Sequence, residues 1–323
     1  MKIAVITGCC GFIGQHTTKL FLDEGYYVYG IDKLTYASNP ESVESFKIKY
    51  GNKFTFKKAD ICELDRIPDC DVVVNIAAES HVTNSIASAQ SFLDTNVLGT
   101  QRIIDILCNM IKYNESETYL LHYSTDEVYG DIVSGSFTEN ALLCPSNPYS
   151  ASKAAADMLI ISAARTHGLK YNIVRPTNNY GEFQNYEKLI PLSVRQLQRN
   201  KTIKLHDSGE PIRTWLHAQD TARATLRVHE AGKRNEIYNI SSNFEQKNLI
   251  TVKKIINSYF NGDYKKSYDS WEHCVDFSYK RPGQDIRYSV DDSKLRQLGW
   301  KNIKKFDEEI DFLVTHFKKN FIW

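Results

Sequence analysis

Short apolar runs recur through the first half of the chain and alternate with segments of helical periodicity. The runs are rich in β-branched residues and apolar on both faces, which is typical of parallel strands covered by helices on each side. They lie at 2–7, 26–31, 54–56, 72–76, 118–123 and 171–174, and the helical patterns at 13–24, 96–112 and 148–167. This alternation predicts an α/β fold, a doubly wound parallel sheet built from βαβ units.

The alternation weakens after about residue 176, where the chain becomes more polar and carries aromatic-rich loops such as NNYGEFQNYEKLIP. At roughly 150 residues per domain, the length predicts two domains. We expect the parallel-sheet domain over 1–176, with about 214–242 returning to it through a further strand at 236–241, and a smaller mixed α/β domain over 177–213 and 243–323.

The charges of the chain almost cancel. Forty Lys and Arg face 39 Asp and Glu, so the formal net charge of +1 provides no basic field for nucleic acid or an anionic membrane. No apolar stretch approaches the roughly 18 residues of a membrane span. The 7 cysteines lack a Cys-x-x-Cys pair, which argues against a disulfide framework or a structural zinc site. We therefore expect a cytoplasmic protein with no metal, no nucleic-acid partner and no membrane partner.

A glycine-rich turn directly follows the first apolar run. Gly8, Gly11 and Gly14 open the first helical segment, where backbone N–H groups can approach a diphosphate that any Cβ would obstruct. Asp32 stands 18 residues after Gly14, at the end of the second run, and can accept hydrogen bonds from adenosine ribose hydroxyls. The pattern predicts a Rossmann-type dinucleotide site that prefers NAD, because the Asp32 carboxylate would repel the 2′-phosphate of NADP.

Lys33, next to Asp32, leaves the choice between NAD and NADP open to some extent. Further contacts with the dinucleotide are expected in the turn and after the third and fourth strands. The residues are Phe12 and Ile13, Asp60 and Ile61, and Ala77 and Ala78. For Asp60, an ordinary loop carboxylate fits the pattern equally well.

Tyr149 and Lys153 lie one helical turn apart and share a helix face. An ammonium beside a phenol favours the phenolate, so a tyrosine with an ordinary pKa near ~10 can act as a base nearer neutrality. The same spacing occurs by chance at Tyr29 and Lys33, between a strand and a loop. Only the first pair begins a helix after an apolar strand that ends in Thr125, whose hydroxyl can polarise the same substrate oxygen.

Two adjacent carboxylates, Asp126 and Glu127, come directly after Thr125. In open α/β sheets this position, beyond the carboxyl end of a parallel strand, is where ligands bind. Plain hydride transfer needs neither carboxylate. The pair therefore suggests added proton chemistry, in which one group removes a carbon-bound proton and the other, held protonated, assists a leaving group. Out of context, an Asp-Glu pair is usually a solvated turn.

Several segments together resemble the nucleotide-sugar 4,6-dehydratases of the extended short-chain dehydrogenase/reductase family. They are TGCCGFIG, DKLTYASN, AAESHV, TNVLGT, STDEVYGD, PYSASKA, NNYG, EKLIP, YNI and RPGQDIRY, in matching order. The resemblance covers nearly the whole chain. Its most specific part is the Thr-Asp-Glu triplet, since related epimerases and decarboxylases share the turn and Tyr-x-x-x-Lys but usually lack the triplet.

The resemblance implies a lyase with tightly bound NAD that converts dTDP-glucose or UDP-glucose to the 4-keto-6-deoxy sugar and water, in deoxysugar synthesis such as that of rhamnose. Tyr149, with Thr125, would take the O4 proton while hydride leaves C4. Lys153 would hold the nicotinamide ribose and lower the tyrosine pKa. Glu127 would remove the C5 proton and Asp126 would protonate the departing O6, after which hydride returns to C6.

The same resemblance implies which residues bind the nucleotide sugar. An arginine suits a diphosphate because its planar guanidinium can pair with two oxygens, although each arginine taken alone is more often a surface ion-pair partner. The nucleotide and diphosphate would contact Asn178, Asn179, Lys188, Leu189, Arg213 and Arg281, and the hexose would contact Ser80 and His81.

Some positions depart from the family pattern. Asn84, in HVTNS, resembles the uridine-type HVDNS more than the thymidine-type HVDRS. Glu182 and Tyr186 replace usual prolines, and Gln284 stands where RPGHD has histidine. These changes leave the nucleotide base open, whereas the residues of the reaction are intact.

The resemblance also implies a homodimer, in which segments 96–112 and 148–167 of both copies form a four-helix interface. Two alternatives to the dehydratase are a nucleotide-sugar 4-epimerase or decarboxylase of the same fold, and a non-catalytic NAD-binding regulatory protein. The Thr-Asp-Glu triplet argues against the first, and the intact Tyr149 and Lys153 argue against the second.

Overall fold

The computed structural model describes residues 1–114, 116–263 and 269–320. Within them the strands are β1 (Ile3–Thr7), β2 (Tyr27–Asp32), β3 (Phe54–Lys58), β4 (Val72–Asn75), β5 (Tyr119–Tyr123), β6 (Tyr171–Pro176), β7 (Asn178–Tyr180), β8 (Ile203–Lys204), β9 (Ile212–His217), β10 (Glu236–Ile240), β11 (Glu245–Lys247) and β12 (Val275–Asp276). Seven of them form one parallel sheet in the order β10-β6-β5-β4-β1-β2-β3. The predicted fold class is confirmed.

The helices of the described residues follow the predicted alternation. They are α1 (Phe12–Asp23), α2 (Glu41–Tyr50), α3 (Val82–Ala87), α4 (Gln90–Phe92), α5 (Gly99–Asn114), α6 (Pro148–His167), α7 (Leu189–Gln198), α8 (Ala218–Ala231), α9 (Asn248–Tyr259), α10 (Ser293–Gln297) and α11 (Phe306–Lys319). A π-helical segment, Leu93–Leu98, joins α4 to α5. The continuous helical stretch therefore begins at Gln90, before the predicted start at residue 96. None of the described helices combines the length and apolarity that crossing a membrane requires.

Both faces of the large sheet are buried, which explains the uninterrupted apolar runs. Along β4, Val72 and Val74 pack into one core with Phe21 of α1, and Val73 packs into the opposite core with Leu107 of α5. Neighbouring side chains of a strand point to opposite faces, so a sheet covered on both sides needs apolar residues at consecutive positions.

The chain after β6 contains more regular structure than its polar sequence indicates. Strand β9 pairs with β7 in parallel and with β11 in antiparallel fashion, and β8 pairs with β12. Helices α7, α9 and α11 enclose a separate core that includes Val194, Ile255 and Leu313. Strand β10 returns to the large sheet beside β6, which confirms the further strand expected at 236–241. The division into domains stays a prediction.

Candidate active site

One cleft, of about 480 Å³, opens at the carboxyl ends of the central strands. Every residue predicted for catalysis, for the cofactor or for the substrate lines this cleft. The fold therefore brings together positions as far apart as Gly8 and Arg281. A volume of this size is typical of small-molecule sites.

The glycine-rich turn closes so tightly that side chains would not fit. A Cβ on Gly14 would lie 1.8 Å from the carbonyl oxygen of Gly8, and one on Gly8, where φ is +66°, would lie 2.8 Å from the backbone nitrogen of Ala77. Helix α1 begins directly afterwards, and no side chain caps its N-terminus. Its first N–H groups are thus available to an anion, as a dinucleotide diphosphate requires.

The carboxylate of Asp32 is held firmly at the end of β2. Its oxygens accept hydrogen bonds from the backbone N–H of Cys10 at 3.0 Å and of Leu34 at 2.8 Å. The neighbouring Lys33 ammonium lies 3.3 Å from Asp60 Oδ2. Because Asp60 already pairs with Lys33, this lysine is not a free cation beside Asp32, and the arrangement fits the predicted preference for NAD.

Asp32 also lies close to the side chains of Cys9 and Cys10. These three form the one group in the described residues whose potential metal-ligand atoms all lie within 4.8 Å of one another. Cys9 Sγ is 3.7 Å from Cys10 Sγ, and both residues pack into the core beneath the turn. The absence of a metal from the function stays a prediction.

Thr125 positions the two carboxyl groups that follow β5. Its Oγ1 accepts a hydrogen bond from the backbone N–H of Glu127 at 3.3 Å and donates one to Asp126 Oδ1 at 3.2 Å. Asp126 is 2% exposed, and its Oδ2 has no hydrogen-bond partner among the described residues. Burial, reinforced by the nearby Glu127 carboxylate, raises the pKa of Asp126 to about 8. A carboxyl group with this pKa is protonated at neutral pH.

Glu127 is surrounded by groups that favour its ionised form. Asn147 Nδ2 donates to Oε2 at 3.5 Å, and the Tyr288 hydroxyl, which donates its proton to Asp285, lies 3.3 Å from the same oxygen. Burial raises the pKa of Glu127, while the guanidinium groups of Arg213 and Arg281 and the Asn147 amide oppose this rise. The two adjacent carboxyl groups therefore occupy different environments, the pattern that separates an acid from a base.

The structure does not show the predicted lowering of the Tyr149 pKa by Lys153. Burial and the carboxylates of Glu127 and Asp126 raise the pKa of Tyr149, against the Thr125 hydroxyl. Lys153 Nζ instead lies 3.2 Å from His122 Nε2, and burial lowers the pKa of Lys153 to about 8. The argument from spacing did not include burial of the amine or the acids that face the phenol, and the effect of Lys153 on the Tyr149 pKa stays a prediction.

The residues predicted to bind the nucleotide sugar differ in how far their polar atoms are already engaged. The Arg213 guanidinium lies 4.4 Å from the centre of the Tyr288 ring and donates to the backbone oxygen of Asp285 at 3.0 Å. Asn179 Oδ1 accepts from Thr221 at 2.6 Å. In contrast, Asn178 Oδ1 and Arg281 Nε are buried without a partner among the described residues.

The remaining predicted contacts lie at the mouth of the cleft. Lys188 Nζ donates to the backbone oxygen of Ser80 at 3.1 Å, and His81 Nδ1 accepts the backbone N–H of Asn84 and thereby caps the N-terminus of α3. The lysine therefore ties the loop before α7 to the loop after β4.

The sequence analysis missed several residues of the same cleft. Tyr288 and Gln284 lie in the segment RPGQDIRY, so the family pattern was the signal for them. His206 and Leu205 follow the two-residue strand β8, and the next residues, Asp207 and Ser208, have φ values of 49° and 54°. A strand this short gives no periodic signal, so only the structure reveals this part of the cleft.

The fold and the cleft together indicate the class of protein. A Rossmann sheet with a Tyr-x-x-x-Lys helix and a buried acid pair at the end of β5 is typical of an extended short-chain dehydrogenase/reductase with added acid-base chemistry. The family model described as GDP-mannose 4,6 dehydratase matches residues 5–312. The chain belongs to this family of nucleotide-sugar 4,6-dehydratases.

The curated relatives and solved structures agree. The chain is 36% identical to dTDP-glucose 4,6-dehydratase of Haemophilus influenzae, with 95% of each chain covered. It is 34% identical to DesIV, a dTDP-glucose 4,6-dehydratase of Streptomyces venezuelae solved with NAD and TYD bound; the TM-score is 0.87, with 98% of this chain and 97% of DesIV covered. The structure of UDP-glucose 4-epimerase of Thermotoga maritima is 22% identical, with a TM-score of 0.82 and with 98% of this chain and 99% of the epimerase covered. This likeness shows the fold alone. The predicted family, lyase class and NAD cofactor are confirmed.

Proposed function

We propose that the chain removes water from a nucleoside-diphosphate glucose and forms the 4-keto-6-deoxy sugar. The observation that carries this proposal is the buried pair at the end of β5, in which Asp126 is held protonated and Glu127 is surrounded by donors and arginines. An epimerase inverts C4 by oxidation and reduction alone, so it needs no such acid and base.

Each residue of the pair has a task that its environment suits. Glu127 removes the proton from C5, which the C4 ketone has made acidic, and Asp126 gives its proton to the departing O6 hydroxyl. Tyr149 and Thr125 act at O4, where the phenol takes the hydroxyl proton as C4 is oxidised. Burial and the nearby carboxylates raise the pKa of Tyr149. The phenol can therefore act as a base only if a positively charged group lies near it in the complete site.

The residues of the turn and strand ends fit NAD. When bound, NAD supplies the acceptor for the C4 hydride and later its donor to C6, so the chain must retain it through the cycle. Gly8, Gly11 and Gly14 would admit the diphosphate, with Phe12 and Ile13 beside it. Asp32 would accept the adenosine ribose hydroxyls. The adenine would contact Asp60 and Ile61, and Ala77 and Ala78 would border the diphosphate.

The nucleotide diphosphate would lie across the cleft from the dinucleotide. Arg281 Nε and Asn178 Oδ1, both buried and without partners among the described residues, are suited to bind it, together with Arg213, Asn179, Lys188 and Leu189. Ser80 and His81 would face the hexose. The named dehydratase relatives support dTDP-glucose as the substrate, and the resemblance of HVTNS to uridine-type enzymes supports UDP-glucose as the competitor.

We also propose that the chain forms a homodimer through α5 and α6. Leu98, in the π segment that precedes α5, is 59% exposed, and Met158 on α6 is 48% exposed. Apolar side chains on adjacent helices can pair across a two-fold axis. Sedimentation should show twice the chain mass for the wild type and a shift toward one chain for Met158→Arg; a monomeric wild type would refute the dimer.

Two further parts of the prediction stay proposals. A cytoplasmic location is supported by the 7 cysteines, which the structure leaves unpaired. The 4-keto-6-deoxy product must be consumed by a reaction of deoxysugar synthesis, for which rhamnose is the proposed end. The domain boundaries expected from the sequence also remain proposals, with the cleft between the two predicted parts.

The decisive experiment incubates the purified protein separately with dTDP-glucose and UDP-glucose, without added reductant. We expect the product to lose one water by mass and to show the alkali-induced absorbance of a 4-keto sugar, and the faster substrate identifies the base. Unchanged mass with formation of a galactose epimer would replace the proposal by epimerisation. Retained NAD without turnover of either sugar would favour the regulatory alternative.

A further inference from the structure

The segment between β7 and α7, residues 181–188, runs along the cleft, and we call it the strap. It contains no helix or strand, yet none of its residues is exposed. Gln184 and Asn185 are only 8% and 4% exposed, and both line the cleft together with Glu187 and Lys188. Connecting segments usually lie on the surface of a protein. Specific contacts must therefore hold the strap against the rest of the chain.

One contact joins the strap to α1, the helix that follows the glycine-rich turn. His16 Nε2 lies 3.1 Å from the backbone oxygen of Glu182. Burial lowers the pKa of His16 to about 4, so the ring is neutral at physiological pH and carries one proton. A carbonyl oxygen only accepts hydrogen bonds, so this proton is on Nε2. His16 thus donates to the backbone of the strap.

The next residue of the strap, Phe183, has a strained backbone. Its φ of 67° lies in the left-handed region, which is unfavourable for an aromatic residue. The ring packs against His16 of α1, with 5.6 Å between the ring centres, and against His316 of α11, with 6.3 Å. A conformation of this kind persists only where the surrounding structure holds it. The strap is therefore fixed in place at this point.

The side chain of Glu182 adds a charged contact at a position where the family usually has proline. Its Oε2 is 3.5 Å from Nε2 of His217, whose side chain is 0% exposed. His217 Nδ1 accepts the backbone N–H of Gln219, so Nε2 carries a proton and faces the carboxylate. Burial opposes the ionisation of Glu182, but His217 and the backbone N–H of Glu182 lower its pKa to about 2. The carboxylate therefore attaches the strap to the start of α8.

A further contact joins the strap to the loop after β2. Asn185 Nδ2 donates to the backbone oxygen of Tyr36 at 3.2 Å, and Asn185 Oδ1 accepts the backbone N–H of Glu187 at 3.0 Å. A carbonyl only accepts and an N–H group only donates, so these partners fix the orientation of the amide. Tyr36 follows shortly after Asp32, and the strap therefore reaches the loop that continues from the predicted ribose site.

The two hydrogen-bonded contacts lie on either side of the cofactor half of the cleft. His16 lies just beyond the glycine-rich turn and Tyr36 just beyond Asp32, so a segment bonded to both spans the part of the cleft that fits the dinucleotide. We propose that the strap retains NAD, and that His16 and Asn185 are positioning residues that keep it closed. NAD then enters and leaves only when the strap separates from α1 and from the loop after β2. The inference rests on the proposed function, whose cycle requires that NAD stay bound between two hydride transfers.

A closed strap predicts a particular kinetic signature. Each of the two hydrogen bonds joins two parts of the chain, and neither uses NAD as a partner. Loosening one of them should therefore ease the entry and the exit of NAD alike, and leave the Kd almost unchanged. Damage to the binding site itself would instead speed release alone and raise the Kd.

The first variant tests the contact with α1. His16→Phe keeps a ring against Phe183 and removes the donor to Glu182, so NAD release and NAD association should each be about tenfold faster, as for one lost hydrogen bond. Release is measured by diluting holoenzyme that carries radiolabelled NAD into excess unlabelled NAD, and association by stopped-flow fluorescence of the NAD-free protein. His316→Phe is the matched control, because it makes the same change on the other side of Phe183, where the ring donates no hydrogen bond to the strap. Its rates should equal those of the wild type.

The second variant tests the contact with the loop after β2. Asn185→Leu has a side chain of similar size that cannot donate to Tyr36, so both rates should again be about tenfold faster. Asn52→Leu, at an exposed position before β3, is the control. Release at the wild-type rate from both His16→Phe and Asn185→Leu would overturn the proposal. Faster release with unchanged association in both would overturn it as well, because it would show lost affinity and no gate. If one variant does not fold, the other decides.

The wild type provides a test without substitution. If the strap must open before NAD enters, the observed rate of association levels off at high NAD concentration, at the rate of opening. A strictly linear rise with concentration would mean that the site is open, and would overturn the proposal.

These rates are measured without turnover. A protein with a gated NAD site that dehydrates neither sugar would keep this inference and lose the proposed function. A working dehydratase whose variants exchange NAD at the wild-type rate would do the reverse.

Discussion

The two halves of the cleft are built in different ways. The cofactor half consists of residues at the ends of β1, β2, β4 and β5, where strand register alone sets neighbours side by side, as it does Thr7 and Asn75. The substrate half is assembled from segments far apart in the sequence, as where Arg213 of β9 stacks on Tyr288. Register follows from secondary structure, whereas the substrate half depends on packing between loops.

The two halves meet at Glu127. Its Oε2 accepts from Asn147, which caps α6 of the parallel-sheet region, and lies 3.3 Å from the hydroxyl of Tyr288 of the substrate half. Changes at this junction should therefore affect the reaction itself, and changes within either half should affect the binding of one ligand only.

The largest effect is expected at the junction. Glu127→Gln removes the base for the C5 proton, so dehydration should fall by about 10³, within the range of general base catalysis. The NAD content released on denaturation should be unchanged, because the cofactor half is untouched. Loss of water is followed by mass spectrometry. Glu44→Gln, at an exposed position of α2, is the control, and full activity of Glu127→Gln would refute the assigned role.

The acid of the pair should govern the pH dependence. Asp126 donates only when protonated, and its pKa is raised to about 8, so dehydration should decline about tenfold per pH unit above pH 8. Asp126→Asn should lower the rate by about 10² and abolish this alkaline limb. Stopped-flow absorbance of NADH follows the oxidation of C4 by itself, so its pH dependence can be compared with that of dehydration. An alkaline limb that survives in the variant belongs to another group.

A change confined to the substrate half should raise KM and leave NAD bound. Arg281→Gln removes a partly buried guanidinium whose Nε is buried without a partner among the described residues, so the KM for the nucleotide sugar should rise by about 10- to 100-fold, as for a lost charged hydrogen bond. Arg199→Gln, on an exposed residue after α7, is the control. Initial-rate kinetics distinguish the two ligands, and a loss of NAD in Arg281→Gln would contradict the separation of the halves.

The smallest of the four effects is expected in the cofactor half. Asp32→Asn keeps the shape of the side chain and removes its charge, so NAD affinity should fall by about tenfold and discrimination against NADP should weaken. Fluorescence titration of the NAD-free protein with NAD and with NADP measures the affinity and the discrimination. Asp65→Asn, whose side chain is 95% exposed, serves as control. Unchanged selectivity would show that Asp32 acts only on the turn, through Cys10 and Leu34.

The sequence predicted the large sheet well, and the region after β6 poorly. Strands such as β1 and β4 are apolar at consecutive positions, so their signal is strong. Helix α6 has its limits at the predicted residues because Asn147 caps it and Pro148 begins it. Strands β8 and β12 have two residues each and carry no periodicity. Their positions depend on pairing with each other across the fold.

For the candidate site, residue types were predictable and their states were not. Motif spacing and family resemblance named the residues that line the cleft, including Asp126 and Glu127. The resemblance also implied that Lys153 lowers the pKa of Tyr149, whereas burial and the nearby carboxylates raise it. His122 escaped notice because one histidine inside an apolar strand has no spacing that marks it.

By itself the sequence determined the parallel sheet, the turn after β1 and the chemical groups at the strand ends. It did so because a sheet buried on both faces demands consecutive apolar residues, and parallel strands bring their carboxyl ends to one edge. Only the tertiary structure decided the protonation of Asp126, the partner of Lys153 and the shape of the substrate half. Desolvation and the direction of a hydrogen bond depend on groups from distant segments, which no local pattern encodes.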